Sequence, residues 1–455
     1  MKKKVFIATF GCQMNEYDSQ RMIQMLSSQY DLCDSPETAD LIIVNTCSIR
    51  EKAEHKVYSL IGRFKPLKEK KPHLIIAVTG CVAQQEGEKI QARAPFVDIV
   101  AGPQGIYSLP TALTALEKNK SNIILTSLDN NFVIPKVDAP IPEKNPIKTF
   151  ITIMQGCNNF CTYCVVPFTR GREISRPLPD IIDEAKRAVA QGVKEITLLG
   201  QNVNSYGKGV ETSFATLLRS ICNISGLKRL RFTTSHPKDL GQDIIDCFGD
   251  LEPLCEHLHL PVQSGSNSVL KRMNRKYTRE HYLDIIARLK KKCPDIALTT
   301  DLIVGFPGES NTDFEQTLSL LKEVEFDQIF AFKYSPRPNT RAALFEDQID
   351  EATKSSRLSQ VLELQNSISL KRYNMMVGKT VEVLVEGISK GGNGQLSART
   401  RANHVVNFEG PKELIGKFCD IIINKASYHS LSGTLPNAVP LPLHNDNKMF
   451  TLSTS

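Results

Sequence analysis

No apolar run in this 455-residue chain approaches the roughly 20 residues needed to span a bilayer, which excludes a helical membrane protein. Neither sign of charge dominates. Lys and Arg number 56 against 49 Asp and Glu, a balance of +7 that permits a polyanionic partner without demanding one. A secretory start is also lacking. The opening MKKKVFIATFGCQMNE is basic at its head, but the apolar stretch from Val5 to Phe10 is too short for a signal core and runs into polar residues. A soluble, cytoplasmic protein is expected. A composition of 41% hydrophobic and 23% charged residues is not that of a disordered chain, and the length suits two to four domains of roughly 100 to 200 residues each.

What is plentiful is cysteine, at twelve. In a reducing compartment these divide between buried small side chains and metal or redox ligands, and spacing decides which. Three apolar segments near the start share one shape: Val5 to Phe10 ending in Gly11-Cys12, Leu41 to Val44 ending in Asn45-Thr46-Cys47, and Leu74 to Val78 ending in Thr79-Gly80-Cys81. Each predicts a buried strand. Helical patterns at Ser19 to Leu26 and Ala53 to Phe64 lie between them, so the unit reads β-α-β-α-β with a parallel sheet. All three cysteines then fall at strand carboxyl ends, the edge where open parallel sheets bind ligands.

Four prolines, Pro135, Pro140, Pro142 and Pro146, break the pattern and mark a linker over 126–147. Beyond it six strand candidates alternate with helical patterns: Phe150 to Met154, Glu195 to Leu199, Arg229 to Thr234, His257 to Val262, Ala297 to Val304 and Gln328 to Tyr334. Six β/α units predict a partial barrel over 148–376, with chemistry on the loops at the strand carboxyl ends. An amphipathic stretch, Glu351 to Met376, precedes short alternating strands at Thr380 to Val385, Gln395 to Thr400, Val405 to Phe408 and Asp420 to Ile423. These predict a small β-barrel over 377–435, a format used for oligonucleotides, and a disordered tail over 436–455. The fold class is α/β with this C-terminal barrel appended.

The sharpest chemical signal is Gly156-Cys157-Asn158-Asn159-Phe160-Cys161-Thr162-Tyr163-Cys164, directly after a predicted strand. Cysteines four and seven apart could share a helix face, but the Gly, the two Asn and Pro167 argue for a loop. Zinc usually takes four protein ligands, or three and an open position. The nearest histidines, His73 and His236, are distant in sequence, so iron–sulfur ligation fits better. Three thiolates hold three irons of a four-iron cubane and leave the fourth open. S-adenosylmethionine (SAM) can chelate that iron and release a 5′-deoxyadenosyl radical on one-electron reduction. Cys12, Cys47 and Cys81 are candidates for a second such cluster. Cys33, Cys222, Cys247, Cys255, Cys293 and Cys419 show no convergence and are read as structural.

Polar residues at the predicted strand ends, Gln201, Asn202, Ser235, His236, Gln263, Ser264 and Asp301, are candidates for holding SAM and substrate, with Tyr163 from the cysteine loop among the SAM contacts. Gly305 to Glu309 is a weaker Gly-rich turn. Arg170, Arg172 and Arg176 follow the cysteine loop and are candidates for phosphate contact. On the C-terminal barrel, Lys390, Arg399 and Arg401 form a second set, in a stretch without acidic residues from Ser389 to Arg401. Basic runs at Arg50 to Lys71 and Lys271 to Lys292 are equally consistent with solvated helix faces.

These residues resemble the radical SAM methylthiotransferases over nearly the whole chain, from Lys4 to about Leu435. Within that family the sequence is similar to the branch that methylthiolates N6-dimethylallyladenosine in tRNA. GCQMNEYDS at Gly11 to Ser19, NTCSIRE at Asn45 to Glu51 and QGCNNFCTYCVVPFTRGRE at Gln155 to Glu173 carry the likeness. LGQNVNSY at Leu199 to Tyr206, HLPVQSGS at His259 to Ser266 and GFPGES at Gly305 to Ser310 add to it. The resemblance implies an N-terminal methylthiotransferase domain (1–125), a radical SAM barrel and a TRAM domain that grips tRNA. It assigns Cys157, Cys161 and Cys164 to the radical SAM cluster and Cys12, Cys47 and Cys81 to an auxiliary one, both 4Fe–4S, with SAM as the further cofactor. The partners it implies are a tRNA anticodon stem-loop, an electron donor such as flavodoxin or ferredoxin, and iron–sulfur assembly proteins. Asn339 and Arg341 depart from the family pattern, where Gly and Pro are usual; Asn tolerates positive φ. A non-enzymatic RNA-binding protein with structural clusters is the competing reading, and the open coordination of both triads disfavours it.

Overall fold

A computed structural model describes residues 2–48, 51–119, 121–141, 143, 146–207, 211–391 and 394–436. The expected disordered tail lies, from 437 onward, outside the described residues. Among the described residues no helix is long and apolar enough to cross a membrane.

The N-terminal strands are β1 (Lys3–Thr9), β2 (Tyr30–Leu32), β3 (Leu41–Thr46), β4 (Ile75–Gly80), β5 (Ile99–Ala101) and β6 (Ile123–Leu125), in the order β2-β1-β3-β4-β5-β6. Every pairing is parallel. All six residues of β3 are buried, as expected of a central parallel strand covered on both faces. Its alternation sends Leu41 and Ile43 to the face covered by α1 (Gln13–Leu26). Ile42 and Val44 go to the opposite face, under α2 (Glu51–Lys70) and α3 (Cys81–Arg93). A fourth helix, α4 (Leu109–Asn119), covers the first face beside α1. Since β1, β3 and β4 are neighbours, Cys12, Cys47 and Cys81 leave from adjacent strand ends.

The second sheet system begins with β7 (Lys148–Thr152). A two-residue pair, β8 (Met154–Gln155) antiparallel to β9 (Ile174–Ser175), pinches off the cysteine loop, which contains α5 (Val166–Thr169). Then come β10 (Glu195–Leu199), β11 (Arg229–Phe232), β12 (His257–His259), β13 (Ala297–Val304) and β14 (Gln328–Lys333). They form two parallel three-stranded sheets, β7-β10-β11 and β12-β13-β14, joined by the parallel bridge Leu230–Leu254. This is the expected six-unit partial barrel. Ile151, Ile196, Leu198, Leu230, Phe232, Leu298 and Leu302 pack into the main apolar core. With them pack α6 (Leu178–Ala190), α7 (Phe214–Cys222), α8 (Gln242–Asp250), α9 (Asn267–Arg272), α10 (Arg279–Lys292) and α11 (Asn311–Val324). The alternate strand residues are polar: Thr197, Arg231, His257, Thr299 and Asp301. Period-two alternation therefore separates an apolar outer layer from a polar inner face.

Among its described residues the segment 126–147 has no helix or strand, and it is pinned. Gln24 Nε2 donates to Ala139 O and Pro140 O at 3.1 and 3.0 Å, and Gln191 Oε1 accepts from Ile141 N at 3.1 Å. The helix α12 (Glu351–Asn374) ends this part of the chain. Two compact units result, Met1–Ser369 and a second beginning at Leu370. In the second, β15 (Thr380–Ile388), β16 (Leu396–Thr400), β17 (Val405–Phe408), β18 (Phe418–Ala426) and β19 (Leu431–Thr434) close a barrel in the order β15-β16-β17-β19-β18. Closure removes every unpaired strand edge.

Candidate active site

The loop from Gly156 to Glu173 is folded by its own backbone. Gly156 has φ +79°, and a Cβ there would lie 1.9 Å from Arg172 O, so only Gly permits this approach. Its N–H donates to Gln201 Oε1 at 2.5 Å. Cys157 N donates to Gly171 O at 3.2 Å and Cys164 N to Cys161 O at 3.0 Å. The loop is then tied to the segment after α9: Asn274 Nδ2 donates to Asn159 O and Phe160 O, and Thr162 N to Met273 O. Burial pushes the Cys157 thiol up to about 11 and the Cys164 thiol up to about 12, and the charge of Cys161 adds to both. Two thiols that burial holds protonated, grouped with a third, are suited to a cationic centre that takes all three as thiolates. Arg275 sits against them, buried, with Nη1 3.5 Å from Cys161 Sγ and 3.4 Å from Tyr163 Oη.

The N-terminal triad is assembled by the sheet edge. Cys12 is the N-cap of α1, Cys47 follows β3, and Cys81 opens α3. Gly11, at φ +112°, lies so close that a Cβ would meet Cys47 Cβ at 2.1 Å and Sγ at 2.7 Å. Asn15 Nδ2 donates to Thr46 O at 2.7 Å, Asn45 Nδ2 donates to Asn15 O at 2.8 Å, and Thr46 Oγ1 donates to Thr79 O at 2.6 Å. A hydrogen bond with Cys47 lowers the Cys12 thiol to about 6, while burial raises that of Cys81. Among the described residues no three His, Cys, Asp or Glu side chains close around a single metal ion. A cubane asks for something wider, since each thiolate takes a different iron, and a soft all-thiol donor set is what it requires.

Several strand-end candidates meet at the barrel mouth. Val203 N donates to Thr234 O at 3.1 Å, and His236 N to Asn204 Oδ1 at 2.8 Å, stitching the loops after β10 and β11. Asn202 is 1% and Ser235 4% exposed, yet among the described residues Asn202 Oδ1 and Ser235 Oγ have no hydrogen-bond partner. An orphaned buried polar atom costs about 1–3 kcal/mol, so both fit a ligand that supplies the missing bonds. Thr234 and Gln263 hold φ of +67° and +71°, strain of the kind stored at binding sites. Ser264 is engaged by Thr317 Oγ1 at 3.4 Å, and Asp301 faces His259 Nε2 at 3.4 Å. Glu309 closes the Gly-rich turn by accepting from Gly305 N and from Arg357, a structural role.

The arginines after the cysteine loop need correction. Arg170, expected to meet phosphate, is 3% exposed, and its Nη2 is 2.8 Å from Asp18 Oδ2, turned toward the N-terminal triad. Arg176 is likewise buried, on Glu184 at 2.8 Å and Thr152 O at 2.6 Å. Sequence adjacency to an exposed basic loop carries no information on burial. Arg172 is exposed, its guanidinium 4.4 Å from the Phe160 ring centroid. On the C-terminal barrel Lys390 is exposed and Arg401 half-exposed. Arg399 is engaged by Glu386 at 3.1 Å, because β15 brings that carboxylate alongside β16. Part of the run from Lys271 to Lys292 is taken up in ion pairs: Arg272 with Asp347, Arg279 with Glu323, Arg288 with Asp284 and Lys292 with Asp250. Asn339 does adopt the left-handed region, at φ +65°. Sequence reasoning missed Arg275, hidden in that basic run, and Asp18, with no spacing signal for either.

The partial barrel and the loop behind its first strand define a radical SAM enzyme, and residues 151–321 match the Radical SAM superfamily. Residues 4–102 match the Uncharacterized protein family UPF0004 and residues 374–435 the TRAM domain. A tRNA-2-methylthio-N(6)-dimethylallyladenosine synthase of Clostridium botulinum (strain Langeland) is 51% identical over 94% of this chain and 96% of its own length. That of Syntrophotalea carbinolica is 47% identical over 95% and 99%. Among solved structures, the radical S-adenosylmethionine methyltransferase TsrM from Kitasatospora setae aligns with TM-score 0.57 and 13% identity, covering 76% of this chain and 77% of that one, a likeness of fold alone. The chain belongs to the tRNA-2-methylthio-N(6)-dimethylallyladenosine synthase family, and is a tRNA methylthiotransferase.

Proposed function

We propose that this chain converts N6-dimethylallyladenosine at position 37 of a tRNA anticodon loop to its 2-methylthio derivative, consuming two SAM molecules. The observation that carries this reading is the grouping of six cysteines into two triads, each at strand carboxyl ends of the same compact unit. Cys157, Cys161 and Cys164 would hold the SAM-cleaving 4Fe–4S cluster, and Cys12, Cys47 and Cys81 an auxiliary one. When bound, these groups supply one-electron cleavage of one SAM to a 5′-deoxyadenosyl radical and a site where sulfur takes a methyl group from the other. Such chemistry suits the target, because an aromatic C–H has neither an acidic proton nor a leaving group.

The protein's own part is to hold, orient and shield. Gln201 fixes the Gly156 turn. Asn202 and Ser235 offer their unpaired polar atoms to SAM, and Tyr163, Gln263 and Ser264 complete its contacts. Arg172, Lys390 and Arg401 meet tRNA phosphates, while a loop base can be splayed out and read on its edges. The division of labour is 1–125 for the auxiliary cluster, 148–376 for SAM cleavage and 377–435 for tRNA grip. The setting is cytoplasmic, with flavodoxin or ferredoxin as reductant and assembly proteins delivering the clusters. Cys161→Ala should abolish formation of 5′-deoxyadenosine from SAM by reconstituted, reduced protein. Cleavage at the parental rate would overturn the assignment.

A further inference from the structure

Arg170 belongs by sequence to the loop of one triad and by position to the other. It lies six residues beyond Cys164 and is 3% exposed. Its Nη2 meets Asp18 Oδ2 at 2.8 Å and Asn15 Oδ1 at 3.4 Å, both on α1, the helix capped by Cys12. Its Nη1 is buried and, among the described residues, meets no partner in hydrogen-bond geometry. Cys12 Sγ donates to the same Asn15 Oδ1 at 3.5 Å, so the guanidinium and that thiol meet on one amide oxygen at the triad. A buried guanidinium that keeps a second nitrogen beyond its pair with Asp18 suits an anionic group at the triad.

We infer that Arg170 is a positioning residue for the centre held by Cys12, Cys47 and Cys81: it sets that centre's reduction potential from the loop of the neighbouring centre, with Asp18 trimming its charge. Three thiolates make the ligated centre negative, and reduction adds a further negative charge. An adjacent guanidinium stabilises the reduced form more than the oxidised one, and an adjacent carboxylate does the opposite. Net charge and hydrogen bonds to sulfur are the protein's means of tuning such centres. The two side chains therefore act with opposite signs, although they form one ion pair.

The inference rests on the reading that this triad binds an iron–sulfur cluster, and the two are tested separately. The full chain with Cys157, Cys161 and Cys164 all replaced by Ala is reconstituted and its iron counted; about four irons per chain supports the cluster reading, and none refutes it. The loaded protein is then titrated reductively, followed by electron paramagnetic resonance. Arg170→Gln should lower the reduced-to-oxidised ratio at fixed potential at least tenfold, a shift of about 59 mV to more negative values for one electron. Asp18→Asn should shift the potential the other way, and Arg170→Lys, which keeps the charge, should stay near the parent. An ion pair that served only to hold the fold would move both variants alike or neither, and either result overturns the inference. Should Arg170→Gln take up no iron, the decision passes to the other two: a raised potential in Asp18→Asn with a parental one in Arg170→Lys supports it, and any other combination overturns it.

Discussion

Gly11 shows how one missing methyl group can decide where a cysteine stands. Its φ of +112° and its contact with Cys47, 2.1 Å from where a Cβ would stand, leave no room for any other residue. Gly11→Ala should displace Cys47 and lower iron from about eight to about four per chain, with SAM cleavage retained because the other triad is untouched; full iron content in the variant would contradict this. Glycine before cysteine was visible in the sequence at Gly11-Cys12, Gly80-Cys81 and Gly156-Cys157; spacing grouped Cys157, Cys161 and Cys164, and position at predicted strand ends grouped Cys12, Cys47 and Cys81. Arg170 was not readable. Whether an arginine faces solvent or a buried carboxylate depends on Asp18, 152 positions away in the chain, and no local pattern reports such a partner.

At the scale of elements, the six barrel strands lie where alternating and continuous apolar runs placed them, since runs of four to eight residues carry a resolvable period. The three-residue strands β2, β5 and β6 were missed because, unlike the equally short β12 within the alternating run His257 to Val262, they lie in no longer periodic run. β19 (Leu431–Thr434) escaped for a related reason, its Ser-Gly interior resembling a turn. The helix α11 carries a reciprocal capping box: Asp313 N donates to Ser310 Oγ at 3.1 Å, and Ser310 N to Asp313 Oδ2 at 2.9 Å. Asp313 also accepts from Ser266 Oγ and Ser268 Oγ at 2.5 and 2.6 Å, which ties the cap to the loop holding Gln263 and Ser264. Ser310→Ala should therefore cost about 1 kcal/mol in urea unfolding and leave SAM binding unchanged. Asp313→Ala, which releases that loop as well, should raise the SAM concentration for half-maximal cleavage.

For the whole molecule, the proposed function assigns chemistry to the first compact unit and tRNA grip to the second. The closed C-terminal barrel contains none of the six clustering cysteines, and phosphate contacts make its contribution salt-dependent. Removing 377–435 should weaken tRNA binding and flatten its salt slope while 5′-deoxyadenosine formation without tRNA persists; unchanged binding would contradict the division. The most direct measurement offers the reconstituted, reduced enzyme four substrates with SAM: prenylated tRNA, the same tRNA without its prenyl group, tRNA bearing threonylcarbamoyl-adenosine, and a ribosomal protein. Products are read by mass spectrometry of nucleosides and peptides. A 2-methylthio product on the prenylated tRNA, and on none of the others, is the predicted result. Methylthiolation of one of the other substrates with none on prenylated tRNA would contradict it.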